Sequence, residues 1–381
     1  ATSEQLQQLG TYCPKARAWV ATLHRKPTKA DLQITKKAYN PFVRLESVHA
    51  RVVFAYLALG SPSEATFIDA FRYRLKGWWG LTASDIIQNP PQYFASTLGR
   101  IETPPKGFYN RREHRPSSKS LSMDDDIEEE DDGDYDVLLS KPVDRLDDVH
   151  MDQMGHTVEP SRNGNCYILV AYFKKLKLTV PFLMKRKAYL VDVHQRVLDY
   201  AKKHRITIEK VRTDWETSKE IVDLWEEEGV TPSFAPPRQH RSNAAERAIR
   251  TLKESLVAVR SNTAKDFPAD AWDHLVYHTA LLLQILTPAR GDKTKNVFEA
   301  LHGYKYELDR FPLFPVGGKV IWKADKSHST LGANGSAGYY VATALEGNST
   351  YIVLDMVSRV SKRVTGICPI PDLRITAGGR V

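Results

Sequence analysis

The stretch that decides the fold reads PPRQHRSNAAERAIRTLK and covers residues 236–253. Its two prolines end the preceding strand, because proline has no backbone N–H to donate to a sheet. From Asn243 to about Ser261, apolar and charged residues recur at helical spacing, which predicts a long amphipathic helix. At about 100° per residue, one face carries a carboxylate followed by a row of cations. That face comprises Glu246, Arg250, Lys253 and Arg260, and the adjacent apolar stripe comprises Ile249, Leu252, Leu256 and Val259.

Strands and helices alternate around this helix. The predicted strands cover residues 149–154, 166–173, 176–184, 208–213 and 230–234, and the predicted helices cover 188–204, 217–228, 243–261 and 268–286. Asn163-Gly164 is a strong hairpin signal, since both residues tolerate the left-handed backbone that tight hairpin turns require. The order βββ-α-β-α-β-α-α predicts a mixed sheet with helices on its faces.

The two ends of the chain follow other patterns. Helical periodicity covers residues 49–58 and 64–75, where Ser63 is placed to cap the second helix. Thr82 or Ser84 can cap a third short helix, which completes a small N-terminal helical domain. The C-terminal part favours a small barrel, because short strands alternate there with Gly, Asn and Ser turns. These strands cover residues 319–323, 338–341, 351–354 and 363–367.

An acidic run separates the N-terminal helices from the mixed domain. Between Asp124 and Asp136 the chain has ten acidic residues and no basic residue. Blocks of like charge repel and bury nothing, so residues 117–142 are predicted to form a disordered linker. Without this run, 54 Lys and Arg face 36 Asp and Glu, a net charge of +18. Such a charge either attracts polyanions through counterion release or only keeps the surface soluble.

Cysteine usage and hydropathy exclude several classes of protein. Cys13, Cys166 and Cys368 lie far apart and form no C-x-x-C motif, which excludes a disulfide scaffold and a zinc ribbon. The histidines of the N-terminal region have no cysteine pair nearby, so we expect no zinc. No apolar run approaches the length of a membrane span. We therefore expect a soluble intracellular protein that does not bind a membrane.

Three carboxylates stand where a fold could bring them together. Asp152 lies inside the first strand of the mixed domain, Asp214 ends a later strand, and Glu246 lies in the first turn of the long helix. Carboxylate oxygens suit Mg²⁺, and two such ions about 4 Å apart can activate an attacking oxygen and stabilise a leaving one. The spacing alone favours surface caps, since the chain has 46 acidic residues. The basic face of the helix fits phosphate binding and ordinary solvation about equally.

Four segments together resemble the integrase core of retroelements. They are HMDQMG at 150–155, SRNGNCYILV at 161–170, RTD at 212–214, and the 236–253 stretch quoted above. Residues 267–273, 303–306 and 338–344 resemble downstream parts of copia-type LTR retrotransposon polyproteins. The resemblance spans most of the chain and is strongest over 148–290. The sequence is therefore similar to the D,D,E polynucleotidyl transferases of the retroviral-integrase superfamily.

The resemblance implies an α/β architecture in three parts. A small helical domain without a zinc motif precedes an RNase H-like mixed sheet core with helices on both faces, and a small SH3-like β-barrel follows. The implied boundaries are 1–116 for the helical domain, 117–142 for the acidic linker, 143–290 for the core, 291–315 for a connector and 316–381 for the barrel.

The resemblance also implies a site and a reaction. Asp152, Asp214 and Glu246 match the ligands of a pair of Mg²⁺ or Mn²⁺ ions. The reaction is trimming of the element's DNA 3′ ends, followed by attack of the 3′-hydroxyls on target DNA. The implied partners are double-stranded DNA and further copies of the chain, in the nucleus after passage through the cytoplasm. The residues assigned to DNA binding are Arg250, Lys253, Arg241, Arg247, Arg260, Lys323 and Arg363.

Four features depart from the family pattern. Thirty-one residues separate Asp214 from Glu246, a shorter spacing than in retroviral integrases. Trp215 stands where asparagine usually follows the second aspartate, the N-terminal region has no His/His/Cys/Cys zinc motif, and the acidic run is unusual. Two alternatives therefore stay open. One is a domesticated descendant that has lost catalysis and acts as a DNA-binding or assembly component, and the other is a nuclease of the same fold that cleaves without joining ends.

Overall fold

The computed structural model describes residues 11–13, 18–20, 47–92, 94–100, 147–157, 159–213, 218–234, 244–323, 335–345 and 350–369. The acidic run, Asp214, Trp215 and Arg241 lie outside these residues. Within the described ranges, no helix combines the length and the hydropathy needed to cross a bilayer.

The N-terminal part is mainly helical where the structure describes it. A short antiparallel pair, β1 (Thr11–Cys13) and β2 (Ala18–Val20), comes first. Four helices follow: α1 (Val48–Ala58), α2 (Glu64–Tyr73), α3 (Ala83–Gln88) and α4 (Phe94–Arg100). The Ser63 side chain caps α2, as its position in the sequence predicts. Thr82 rather than Ser84 caps α3, because Thr82 and Asp85 bond to each other's backbone N–H groups in a capping box.

A five-stranded mixed sheet forms the middle of the chain. Its elements are β3 (Asp148–His156), β4 (Tyr167–Phe173), β5 (Leu178–Met184), α5 (Leu190–Lys203), β6 (Lys210–Thr213), α6 (Lys219–Glu227) and β7 (Thr231–Phe234). The strand order is β5-β4-β3-β6-β7, with the first three strands antiparallel and β6 and β7 parallel to β3. This order and these directions are those of the RNase H-like fold, which confirms the predicted mixed α/β core.

Both faces of this sheet are covered by helices. Successive side chains of a strand point to opposite faces, so β3 directs Val149 and Met151 into a cluster shared with α5 and α6. On the other face, Ile168 and Val170 of β4 pack against α7 (Ala244–Ser261) and α8 (Trp272–Leu286). The predicted placement of helices on both faces is therefore confirmed.

The Asn163-Gly164 turn lies within a longer loop. It does not join two strands directly, because residues 157–166 all lie between β3 and β4. Gly164 has φ +79°, and its N–H donates to the Ser161 carbonyl over 2.7 Å. The Asn163 side chain also donates to the buried Asp273 carboxylate of α8 over 2.8 Å. The loop is thus fastened to α8, a contact that lies beyond the reach of local turn patterns.

The C-terminal part is a second five-stranded sheet. After β8 (Pro288–Ala289), β9 (Asp292–Asn296) and α9 (Val297–His302), the chain forms β10 (Lys319–Lys323), β11 (Gly335–Ala344), β12 (Thr350–Asp355), β13 (Ser361–Val364) and β14 (Ile367–Pro369). All pairings are antiparallel in the order β13-β12-β11-β10-β14, so the last strand returns beside the first, as in SH3-like barrels. Trp322, Tyr339 and Tyr340 are buried, so these aromatic rings belong to the core of this part.

One hydrophobic cluster, here called the composite core, joins the N-terminal helices, α8 and the C-terminal sheet. Its members include Phe54, Phe67, Trp79, Leu275, Leu282, Phe314, Tyr340 and Val353. Between α7 and α8, the segment of residues 262–271 is bonded on both sides. Asn262 bonds to Ser61, the Ala264 N–H donates to the Gly317 carbonyl over 3.1 Å, and the Tyr339 hydroxyl donates to the Asp266 carbonyl over 2.9 Å. The helical part and the C-terminal sheet therefore both pack on the same pair of helices.

Two glycines allow a test of how tightly this cluster is packed. Gly60 and Gly77 both have φ +76°, but a Cβ on Gly60 would lie 2.8 Å from Leu282 and 2.9 Å from Val259, whereas a Cβ on Gly77 meets nothing within 4 Å. We expect Gly60→Ala to lower the free energy of unfolding by about 2–4 kcal/mol, from backbone strain and overpacking together. Gly77→Ala should show the strain alone, about 1 kcal/mol. Urea unfolding of both variants measures the difference, and equal losses would contradict close packing at Gly60.

Candidate metal and nucleic-acid site

Asp152 lies inside β3 on the side that faces α7. Because side chains alternate, His150, Asp152 and Met154 point away from the face that Val149 and Met151 occupy. Met154 packs against the cluster formed by α7 and α8, which fixes the direction of this face. Asp152 is half-buried, and its Oδ1 accepts a hydrogen bond from the Gln153 N–H over 2.7 Å. The sheet thus holds this carboxylate at a fixed place beneath α7.

Glu246 lies in the first turn of α7, where it is exposed. The buried Ala245 and Ala248 hold this turn against the protein. The start of the helix is also bonded directly to β3, since the Ala244 N–H donates to Nδ1 of His150 over 3.2 Å. His150 is 3% exposed and stands on the same face of β3 as Asp152. The structure therefore brings the helix turn that carries Glu246 to the strand that carries Asp152.

The third predicted ligand, Asp214, follows directly after the last residue of β6. β6 is parallel to β3, and the last pair of their register is His150 with Arg212; β6 itself ends at Thr213. Asp214 itself lies outside the described residues, so its meeting with the other two carboxylates stays a prediction. Among the residues that the structure does describe, no three His, Cys, Asp or Glu side chains are grouped to hold a metal ion. Carboxylate oxygens are nevertheless the kind of ligand that a hard divalent cation prefers, alongside several waters.

The predicted DNA-binding residues of α7 form an exposed strip. Arg247, Arg250, Lys253 and Arg260 are all exposed, whereas Leu252 and Val259 on the opposite side of the helix are buried. The neighbouring side of α7 is covered by α4, where a Cβ on Gly99 would come within 2.3 Å of the Glu254 carbonyl oxygen. The row of cations next to Glu246 thus stays open to a polyanion. Their role in DNA binding stays a prediction.

The other predicted DNA-binding residues are dispersed. Lys323 ends β10 and Arg363 lies in β13; both are exposed, and β11 and β12 lie between their strands. Arg241 lies outside the described residues. Lys362, beside Arg363, places its ammonium 4.8 Å from the centre of the Trp322 ring. Cations are therefore exposed on more than one strand of the C-terminal sheet.

Sequence reasoning missed His150 and Asp273. His150 is separated from Asp152 by one residue, and this spacing already places both on one face of a strand. Its bond to Ala244 joins residues 94 positions apart, so no local pattern could show it. The same holds for Asp273, whose carboxylate accepts from Asn163 and Asn165 across 110 and 108 positions.

Two of the solved structures that are similar to this chain are an integrase core domain and a chain of an intasome. The catalytic core domain of BIV integrase has 19% sequence identity and a TM-score of 0.31, and the match covers 41% of this chain and 94% of that chain. A chain of the simian T-cell lymphotropic virus intasome, in complex with the PP2A regulatory subunit B56 gamma, has 15% identity and a TM-score of 0.34, covering 57% of this chain and 75% of that chain. No protein-family profile and no curated protein matches. At these scores the similarities assign no function, and the fold class rests on the strand order described above.

Proposed function

We propose that the protein is an integrase of the copia-type LTR retrotransposon class, a metal-dependent polynucleotidyl transferase that acts on double-stranded DNA. The observation that carries the proposal is the 3.2 Å bond between Ala244 and His150. It ties the helix turn bearing Glu246 to β3, the strand bearing Asp152. The strand parallel to β3, β6, ends immediately before Asp214. The proposed reaction follows from the resemblance of the sequence to retroelement integrases, and the proposal does not rest on the low-scoring structural similarities.

In this proposal, Asp152, Asp214 and Glu246 hold two Mg²⁺ or Mn²⁺ ions. The ions would supply activation of the attacking oxygen and charge stabilisation of the leaving oxygen. The chain's own contribution is positioning, because the sheet fixes Asp152 and the bond to β3 fixes the first turn of α7. The exposed cations of α7 bind the phosphate backbone beside the carboxylates, which gives orientation without sequence preference. We further propose that several copies assemble on DNA in the nucleus, and that no zinc is needed.

A strand-transfer assay with a matched pair of variants tests the proposed function. We expect the wild-type chain, with Mg²⁺ or Mn²⁺, to join a labelled duplex with free 3′-hydroxyls to plasmid DNA. Glu246→Gln removes the charge of a metal ligand and should reduce joining by at least about 100-fold, since such ions contribute several kcal/mol. Glu254→Gln removes a charge from the same helix at a half-buried position 3.9 Å from Arg100, and it should leave joining nearly unchanged.

The other outcomes separate the alternatives. If neither the wild type nor the variants join DNA but all bind it, the domesticated, non-catalytic descendant is supported. Metal-dependent cleavage without joining would support the nuclease. Equal losses in Glu246→Gln and Glu254→Gln would show that Glu246 has no special role.

A further inference from the structure

The contact between His150 and α7 has a chemistry of its own. The first four N–H groups of an α-helix have no acceptor within the helix and need partners from elsewhere. The Ala244 N–H is one of these groups, and its partner is an imidazole nitrogen 3.2 Å away on β3. Since Nδ1 accepts, the ring is neutral with its proton on Nε2. The His150 side chain on β3 therefore caps the N-terminus of α7.

The location of this cap gives it a consequence for the site. His150 is 3% exposed, so loss of its nitrogen would leave a poorly hydrated N–H at the start of α7 without this acceptor. Glu246 follows Ala244 within the same turn and is itself exposed, so its carboxylate depends on the backbone of this turn for its position. Asp152 shares the rigid strand with His150. The distance between the two carboxylates is thus set partly through the imidazole.

We propose that His150 is a positioning residue that fixes the first turn of α7, and with it Glu246, relative to Asp152. The proposal rests on the proposed function for its metal-binding consequence, whereas the capping itself is a property of the fold. Groups that orient metal ligands from outside the coordination sphere typically contribute 10- to 100-fold to affinity or activity. His150 would act in this way through the helix backbone, without touching the metal or the DNA.

Three substitutions separate the acceptor from the volume of the ring. His150→Leu keeps apolar volume and removes the acceptor, whereas His150→Asn retains an acceptor oxygen bonded to Cγ, as Nδ1 is. His150→Gln moves the acceptor one bond further out. In the full chain, Mn²⁺ affinity is measured by titration of free Mn²⁺, and amide hydrogen exchange is followed at residues 244–247 and, as reference, at residues 252–259. Strand transfer is measured in parallel.

We expect His150→Leu to weaken Mn²⁺ binding by about 10- to 100-fold and to speed exchange at 244–247 while exchange at 252–259 is unchanged. His150→Asn should restore most of the affinity and protection, and His150→Gln should restore less. The proposal is overturned if Asn behaves like Leu, or if exchange at 244–247 is the same in His150→Leu and the wild type. If the wild type binds no Mn²⁺, the proposed function fails while the exchange experiment still decides the capping role. If His150→Leu does not fold, the comparison of Asn with Gln provides the same test.

Discussion

Replacing Tyr340 by alanine is expected to lower the free energy of unfolding by about 3–5 kcal/mol, the range for removal of a buried aromatic side chain. Tyr340 is 0% exposed at the centre of the composite core. Its ring lies 5.5 Å from that of Phe314 and 5.7 Å from that of His278, measured between centroids. Because Phe54 of α1 and Phe314 are also in edge contact, the cavity would reach toward the N-terminal helices.

The matched control is Tyr340→Phe, which keeps the ring and removes the hydroxyl. The Thr343 hydroxyl donates to the Pro312 carbonyl over 2.6 Å, so the Tyr340 hydroxyl must donate in its 2.7 Å bond to Thr343. Losing this one bond should lower the free energy of unfolding by about 1 kcal/mol. Urea denaturation measures both variants.

Hydrogen exchange in the same variants tests whether the composite core unfolds as one unit. Tyr340→Ala should reduce the protection of amides in α1 as well as in β11, because both elements bury side chains in the same cluster. Loss of protection confined to residues 319–369 would contradict this expectation.

Acidification is the second large effect that we expect. Burial lowers the pKa of His194 and of His278 to about 4. In the unfolded chain both groups titrate at about 6.5, so between these values the unfolded state binds protons that the folded state does not. The stabilising contribution is therefore complete above about pH 6.5 and is lost as the pH falls toward 4, by about 3 kcal/mol per histidine. Urea unfolding at pH 7.5, 5.5 and 4.5 measures the slope.

The two histidines differ in their hydrogen bonds, so substitutions of the two should have opposite effects on stability at neutral pH. His194 accepts a bond from the buried Trp225 indole N–H over 2.8 Å, so His194→Leu leaves that donor unpaired and should cost about 1–3 kcal/mol. Among the residues that the structure describes, neither ring nitrogen of His278 has a hydrogen-bond partner. His278→Leu should therefore stabilise the protein at pH 7.5 by about 1–2 kcal/mol. Both substitutions should flatten the acid slope, and an undiminished slope in His278→Leu would show that this ring does not cause it.

The sequence could predict those parts of the fold that local periodicity determines. The stripe of Leu252 and Val259 predicts the buried side of α7, and the core strands follow from apolar runs. For the cap of α3 the sequence offers both Thr82 and Ser84, and Asp85, three positions after Thr82, forms the capping box that favours Thr82. Asn163-Gly164 predicts a hairpin turn, but the pattern could not show that this turn lies in a longer loop, because the loop is bonded to Asp273, 110 positions away.

For the candidate site, the sequence could predict which residues belong to it but not the contacts that position them. Asp152 and Glu246 were identified from a family pattern, since their residue types and spacing alone also fit surface caps. The bond between His150 and Ala244, which links the strand of Asp152 to the helix turn of Glu246, is a tertiary contact with no periodic signal. The composite core was likewise invisible, because it combines side chains from segments that are individually ordinary amphipathic helices and strands.

The bonds of residues 262–271 to the N-terminal helices and to the C-terminal part also bear on how the protein should be produced. A recombinant fragment cut at 143 and 290 would lose Ser61 on one side and Gly317 with Tyr339 on the other. Leu275 and Leu282 would then face water on one side of α8, and such an exposed apolar patch promotes aggregation. Biochemical work is therefore best begun with all 381 residues, because the N-terminal helices and the C-terminal sheet cover this side of α8.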